Sequence, residues 1–361
     1  MSSFFRIALI GAISLASQAG WAVDCGKYDG KFCNGKAFQY EGGFKPNAGE
    51  YGGFGGAANC TASKTPVVFL HGNADNATSW DSPTFQVPGY PKPPRSVYEE
   101  FKAAGYQDCE LFGLSYLNEV ERASEQLNYH EPARYEKIDK FIQAVKQYTG
   151  KDRVDIIGHS LGVSLGMATL THYKNWPQVR RFVNIAGGLH GLDSCILAGF
   201  ANPFVATCGS QNIFVPDTFG FYPDSASPGI NAWTGTKDKK SLSKSPTHHP
   251  EVRFYTIYAG QNDQYMCSSD SNRATCGNSP LLEKAANVKA QINIGTGSKT
   301  PRGQWDWLSG SPTDAKGGDI DGVGHVHARN NSGSIMVHML GSECSSQCAK
   351  NYKYGPVVYA K

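Results

Sequence analysis

Long apolar runs are scarce in this 361-residue chain. The one near the start, Ile7-Ala-Leu-Ile-Gly-Ala-Ile-Ser-Leu-Ala16, is about half of the ~20 residues that a membrane-crossing helix needs. Charge of one sign is also scarce. The formal net charge is +3, and the one Lys-rich stretch, Lys237–Lys244, is broken by Asp238 and three uncharged residues. Nucleic acid is therefore not an expected partner. Internal repeats, heptads and a Pro/Thr-rich linker are absent, which excludes solenoids, coiled coils and an obvious domain break. There is no Cys-x-x-Cys pair with partner His spacing, so no zinc site is expected. The chain is 40% apolar and 18% charged, a balance that suits a folded protein rather than a disordered one.

What is present begins with Arg6, the short apolar run and small residues ending at Ala22. That order is the pattern of a secretory signal peptide. Residues 1–22 are read as the signal and 23–361 as a single catalytic domain, secreted to the extracellular space. All ten cysteines fall in the mature part. In an oxidising compartment they should pair. Sequence alone does not fix the connectivity. Four pairs look local: Cys25–Cys33, Cys195–Cys208, Cys267–Cys276 and Cys344–Cys348. That leaves Cys60–Cys109. With every thiol tied up, a catalytic cysteine is not expected.

After a Gly- and aromatic-rich stretch at 25–60, read as an irregular arm over the domain, strands and helices alternate. Val67–Leu70, Glu110–Leu114, Val154–Ile157, Arg181–Ala186, Arg253–Tyr258 and Val288–Ile294 read as strands. Ser96 and Glu99 make a capping box for a helix ending near Gly105. Pro132 to Thr149 is a helix stopped by Gly150, Leu161 to Tyr173 is another, and Ser332 to Leu340 is the last. This rhythm predicts an α/β class protein: a mostly parallel sheet with helices on both faces. Long loop insertions at roughly 190–250, 261–286 and 295–324 should form covers or binding surfaces.

Gly158-His159-Ser160-Leu161-Gly162 matches G-x-S-x-G, and so does the overlapping Gly162-Val163-Ser164-Leu165-Gly166. In a chain with 41 glycines the pattern alone carries little. Context separates the two. An apolar strand runs straight into Ser160 and a helix leaves it, as a nucleophile elbow requires, whereas Ser164 falls one turn inside the helix. A serine hydroxyl needs a base to take its proton, and the base needs a carboxylate to orient it. In this architecture the chain order is Ser, acid, His. Asp263 follows the strand at 253–258 and is chosen over Asp270 and Asp193. His325, after Gly322-Val-Gly324, is chosen over His327 and over His338. His71-Gly72-Asn73 follows the first strand, so the backbone N–H groups of Asn73 and Leu161 are the expected oxyanion donors. His71 itself reads as structural. No metal or cofactor is implied, although the spacing of Asp319 and Asp321 would allow calcium.

Several longer stretches resemble the single-domain, lipase-like extracellular depolymerases of poly(3-hydroxybutyrate), bacterial members of the α/β-hydrolase superfamily. These are Tyr51-Gly-Gly-Phe-Gly-Gly56, Thr65-Pro-Val-Val-Phe-Leu-His-Gly-Asn73, Asn128-Tyr-His130, Asn184-Ile-Ala-Gly-Gly188, Thr207-Cys-Gly-Ser-Gln-Asn212, Thr218-Phe-Gly-Phe221, Val288-Lys-Ala-Gln-Ile-Asn-Ile-Gly295 and Gly322-Val-Gly-His325. The resemblance covers nearly the whole mature chain. Gly158 stands where the family has Ala, and Ile213-Phe214 where it has an aromatic pair. The resemblance implies an α/β-hydrolase fold, the triad Ser160, Asp263 and His325, and the oxyanion donors Asn73 and Leu161. It also implies that Tyr129 flanks the site and touches polymer.

The expected function is ester hydrolysis of short-chain polyhydroxyalkanoate through an acyl-enzyme. The partner would be the polyester granule surface, met by a monomer without a stable membrane span. Phe214, Trp305 and Trp307, with Ile213 and Phe219–Tyr222, are expected to supply apolar contact area. A secreted triacylglycerol lipase or general carboxylesterase would use the same triad. A non-catalytic polymer-binding protein is the rival from another class.

Overall fold

A computed structural model describes residues 38–46, 51–209, 217–223, 242–267, 277–297, 304–306, 311–313 and 318–360. Residues 1–22, Cys25, Cys33, Phe214, Asp270, Cys276 and Trp307 lie outside them. The described residues hold a nine-stranded sheet and a two-stranded ribbon. The sheet comprises β1 (Phe38–Tyr40), β2 (Gly53–Gly55), β3 (Val67–Leu70), β4 (Leu111–Leu114), β5 (Val154–His159), β6 (Val179–Ile185), β7 (Arg253–Tyr258), β8 (Val288–Asn293) and β11 (Val358–Tyr359). Across the sheet the order is β1-β2-β4-β3-β5-β6-β7-β8-β11. The six strands from β4 to β8 in that order are parallel to one another. β9 (Gln304–Asp306) and β10 (Ser311–Thr313) form the antiparallel ribbon.

The helices are α1 (Val97–Ala103), α2 (Glu119–Ala123), α3 (Pro132–Thr149), α4 (Leu161–His172), the short α5 (Cys195–Ala198), α6 (Ala206–Gly209) and α7 (Ser245–His248), then α8 (His325–Asn330) and α9 (Gly333–Gly341). Along β3 all four side chains are buried, and they alternate between two core layers. Val68 and Leu70 pack with Tyr135, Phe141 and Leu161 of α3 and α4, whereas Val67 and Phe69 pack with Val97, Phe101, Ile335 and Met336 of α1 and α9. A strand that is apolar on both faces needs helices on both faces, and each such side chain contributes roughly 1.5–3 kcal/mol on burial. The chain ends of the helices follow local chemistry. Ser96 Oγ accepts from the Glu99 N–H while the Glu99 carboxylate accepts from the Ser96 N–H, closing the capping box. Pro132 opens α3, and Gly150 ends it in the left-handed conformation at φ 66°.

This is an α/β-hydrolase sheet. Its strand order reverses between β4-β3 and β5, so the loops after β3 and β5 leave side by side at the carboxyl ends, where open α/β sheets bind ligands. Two expectations need correction. The stretch at 25–60 is not wholly irregular: β1 and β2 extend the sheet past β4, hidden in sequence by their three-residue length and glycine content. Glu110 is not a strand residue; its buried carboxylate accepts the N–H groups of Ser63, Lys64 and Gln107. The last helix, α9, follows the expected span, with Ser332 as its N-cap, and α8 precedes it from His325. The long insertions hold α5, α6 and α7 and the β9–β10 ribbon.

Cys60–Cys109, Cys195–Cys208 and Cys344–Cys348 are disulfides, and Cys267 is disulfide-bonded as well. No helix among the described residues is long and apolar enough to cross a membrane.

Candidate active site

The turn from β5 to α4 carries Ser160 at φ 52° and ψ −123°, a conformation that costs a non-glycine residue about 1–3 kcal/mol. Its neighbours explain how the turn survives. A Cβ on Gly158 would stand 2.8 Å from the Val163 backbone. One on Gly162 would stand 2.3 Å from the His71 carbonyl oxygen. The first turn of α4 therefore lies almost against β3 and the loop after it. Ser160 is half-buried, and among the described residues its hydroxyl makes no hydrogen bond, so it is open to a ligand.

Ser164 is different. It is fully buried, and its hydroxyl lies 2.6 Å from His130 Nε2. His130 Nδ1–H donates to the Phe219 carbonyl at 3.0 Å. Ser164 thus fastens α4 to the segment at 217–223, and the second G-x-S-x-G match is a packing feature.

Asp263 leaves the end of β7 through a 3-10 turn at Gly260–Asn262. Its fully buried carboxylate lies 2.9 and 3.0 Å from His325 Nδ1. It also accepts the backbone N–H groups of Tyr265 and Met266. Such an arrangement makes His325 Nδ1 the donor and leaves Nε2 free to act as a base. His325 and Ser160 line one cavity of about 260 Å3, together with Asn73 and His159. The rest of its wall includes Leu192, Phe221, Tyr265, Met266 and Val326. The Tyr265 ring lies over the His325 ring with centroids 4.6 Å apart, and burial pushes its phenol pKa up.

The other histidines and acids are turned to other tasks. His327 donates from Nδ1 to the Gly322 carbonyl at 2.9 Å and stacks on Phe85. His338 sits on α9 and Asp193 in the turn before α5.

The loop after β3 is braced from several sides. Burial lowers the His71 pKa to about 4, so the ring is neutral. It donates to the Gly72 carbonyl, accepts the Tyr116 N–H and stacks on the Tyr116 ring. Asn73 donates from its amide to the Glu125 carbonyl at 2.9 Å and accepts from Asn128 at 2.7 Å. Asp75 pairs with the buried Arg329 of α8, tying this loop to the His325 helix. The backbone N–H groups of Asn73 and Leu161 donate to no atom of the described residues. For Leu161 that is the ordinary condition of a first helical residue.

Of Tyr129, Phe214, Trp305 and Trp307, Tyr129 is the one whose side chain is described. Tyr129 lies beneath the Arg134 guanidinium at 5.5 Å and does not line the cavity. Trp305 sits in β9 of the ribbon. Phe214 and Trp307 are outside the described residues. Asp319 is not poised as a calcium ligand: its two oxygens accept from the Gly324, Val326 and His327 N–H groups and from Gln264 Nε2. No cluster of three or more His, Cys, Asp or Glu residues among the described residues is arranged to hold a metal ion.

A family model described as lipase (class 2) matches residues 64–291, more than half of the chain. The chain belongs to the class 2 lipase family. The match contains Ser160 and Asp263 and stops before His325. Among solved structures, the chain is similar to Bacillus licheniformis lipase BlEst2 in its propeptide form, at 18% identity over 70% of this chain and 48% of that one, with a TM-score of 0.39. The mature form of the same lipase gives 14% identity over 70% of this chain and 89% of that one, with a TM-score of 0.37. Aspergillus fumigatus lipase B gives 17% identity over 80% and 55%, with a TM-score of 0.41. The chain spans about half the length of the propeptide form and of the fungal lipase. No curated protein sequence matches it significantly.

Proposed function

We propose that this chain is a secreted serine ester hydrolase that cuts poly(3-hydroxybutyrate) or a related short-chain polyhydroxyalkanoate. The observation that carries the ester chemistry is the buried Asp263–His325 pair sharing a cavity with the strained, open Ser160. In this reading Ser160 Oγ attacks the ester carbonyl as His325 Nε2 takes its proton. The oxyanion is held by the N–H groups of Asn73 and Leu161, each worth about 3 kcal/mol in such sites. His325 then protonates the leaving alcohol, and water, activated by the same nitrogen, releases the 3-hydroxyacyl group and restores Ser160. The Asp263 carboxylate holds the His325 ring in place and stabilises the imidazolium.

Two features support a short acyl unit presented by an insoluble material. The cavity of about 260 Å3 lies below the roughly 300–1,000 Å3 of pockets that engulf larger ligands. Its rim is apolar. Glu125 and Thr207 line it; Leu127 is exposed in the same turn as Glu125, and Phe204, in the turn that precedes α6, is 83% exposed. The turns at Glu125–Leu127 and Pro203–Val205 lie against each other, so these two exposed apolar residues belong to neighbouring turns. Export fits the described disulfides. The family match favours a second reading, a triacylglycerol lipase that uses the same residues.

Wild-type protein and Ser160→Ala should be incubated with native polyhydroxybutyrate granules, with turbidity and soluble hydroxyacids followed, and with tributyrin and olive oil in parallel. The expected result is clearing by the wild type alone and faster release from tributyrin than from olive oil. Clearing that survives Ser160→Ala ends the enzyme reading. Untouched granules with rapid olive-oil hydrolysis transfer the conclusion to the triacylglycerol lipase.

A further inference from the structure

The main chain of His325 is gripped by side chains from both loops that its ring faces. Its N–H donates to Gln264 Oε1 at 2.9 Å, and its carbonyl accepts from His159 Nε2 at 3.0 Å. Gln264 is the residue after Asp263, and His159 is the residue before Ser160. We propose that His159 and Gln264 are positioning residues that hold the His325 backbone, and with it the imidazole, in register with Ser160 and Asp263. The proposal rests on the ester-hydrolase reading of this cavity.

Each strut is itself immobilised. Gln264 Nε2 donates to Asp319 at 2.7 Å. Asp319 accepts three N–H groups from the start of α8, so Gln264 and the helix share one anchor. The N–H of His325 is one of the donors that a helix start leaves without an intrahelical partner. A side-chain acceptor from the acid loop therefore fixes where α8 begins.

His159 is fully buried, and burial, with Arg329 and His325 nearby, holds its pKa well below the ordinary value. A neutral imidazole has one N–H, and the carbonyl of His325 requires it on Nε2. Nδ1 is left buried without a hydrogen-bond partner. A Cβ on Gly72 would come within 2.8 Å of that nitrogen, so the ring is wedged against the oxyanion turn. The His159 and His325 ring centroids are 4.8 Å apart. His159 thus touches all three parts of the machinery: the elbow, the oxyanion turn and the base.

The full chain as wild type, His159→Leu, His159→Gln and Gln264→Leu should be assayed on soluble p-nitrophenyl butyrate. kcat and KM are measured separately and thermal unfolding is recorded for each. A misplacement of about 1 Å costs on the order of 10²-fold in rate. Both Leu variants should therefore lose kcat by about that factor with KM within about threefold of the wild type. His159→Gln, which still offers an N–H to the carbonyl, should recover at least about tenfold of the loss. A wild-type kcat in either Leu variant overturns the proposal, as does an equal loss in the Leu and Gln variants at 159. Should His159→Leu fail to fold, Gln264→Leu and His159→Gln carry the test. A wild type inactive on the soluble ester sinks the hydrolase reading itself; an active wild type with unchanged variants sinks only the positioning role.

Discussion

Gly162 offers the sharpest perturbation of the elbow. An alanine Cβ there would stand 2.3 Å from the His71 carbonyl oxygen and 2.5 Å from that of Leu70. Both are backbone atoms, and real Cβ contacts do not fall below 3.0 Å. The first turn of α4 and the oxyanion turn must therefore separate by about 0.7 Å or more, and overpacking of this kind costs typically 1–3 kcal/mol. The shift acts on the two groups that matter most, because Leu161 is the neighbour of Gly162 and Asn73 follows His71 by two residues. Loss of one aligned oxyanion donor lowers kcat by about 10²–10³-fold, roughly 2.7–4 kcal/mol in the barrier. Gly166 is the built-in control, since it ends the overlapping second motif. A Cβ there meets Leu70 Cδ1, the tip of a flexible side chain, at 2.8 Å, and the Phe182 ring at an ordinary contact distance of 3.5 Å. Alanine is favoured over glycine inside a helix by about 0.5–1 kcal/mol, which offsets the repacking. Gly166→Ala should thus keep its melting temperature within a few degrees and its kcat within about threefold. The assay is kcat and KM on p-nitrophenyl butyrate with calorimetry on both variants. A Gly162→Ala enzyme with normal kcat and normal unfolding refutes the packing argument, and so does equal damage in the two variants.

The remaining predictions use other parts of the molecule. Asp263→Asn should lower kcat by about 10⁴-fold while circular dichroism is unchanged, since the amide supports the wrong tautomer of His325; a loss under tenfold would remove Asp263 from its role. Burial lowers His71 to about 4 and His130 to about 3, against an ordinary value near 6.5. The unfolded chain therefore takes up these two protons before the folded one does. Their contribution to stability is complete above pH ~6.5 and is lost as the pH falls through the window down to about 4 for His71 and 3 for His130, at about 1.4 kcal/mol per unit for each. A melting temperature that stays flat between about pH 7 and about pH 4.5 contradicts this. The Cys60–Cys109 bridge closes 49 residues, so the double Cys→Ala variant should be less stable by about 4 kcal/mol in urea unfolding under the chain-entropy account. A midpoint unchanged from the wild type would show that the loop is held by its other contacts.

The parts of the fold that sequence reveals are those in which local chemistry and tertiary demand agree. Val67–Leu70 is short and wholly apolar because it is covered on both faces, and that is what its composition states. Pro132 and Gly150 bound α3 because φ preference alone permits them there. β1, β2 and β11 have no such voice. Each is two or three residues long, and each is a strand only because a neighbour at the sheet edge offers hydrogen bonds. Glu110 looked like a strand residue from its apolar neighbours, yet its carboxylate serves the N–H groups of a turn 46 residues away in sequence.

The same division runs through the site. Ser160 is legible because the elbow is a local object: strand, strained residue, helix and tight glycines lie within nine residues. The pairing of Asp263 with His325 is legible only through chain order, since 62 residues separate them. The struts were missed for a related reason. Gln264 and His159 hold backbone atoms, and a backbone atom imposes no residue type on its own position that a reader could notice. What could have exposed them is adjacency. A residue next to a triad member has its backbone placed by the same turn, so its side chain starts within reach of the other two loops. His159 sits inside the G-x-S-x-G pattern at a position the pattern leaves open, and a buried histidine there needs a partner for its N–H. The sequence offers a free carbonyl at every residue, and only the converging loops decide that the one it meets belongs to His325.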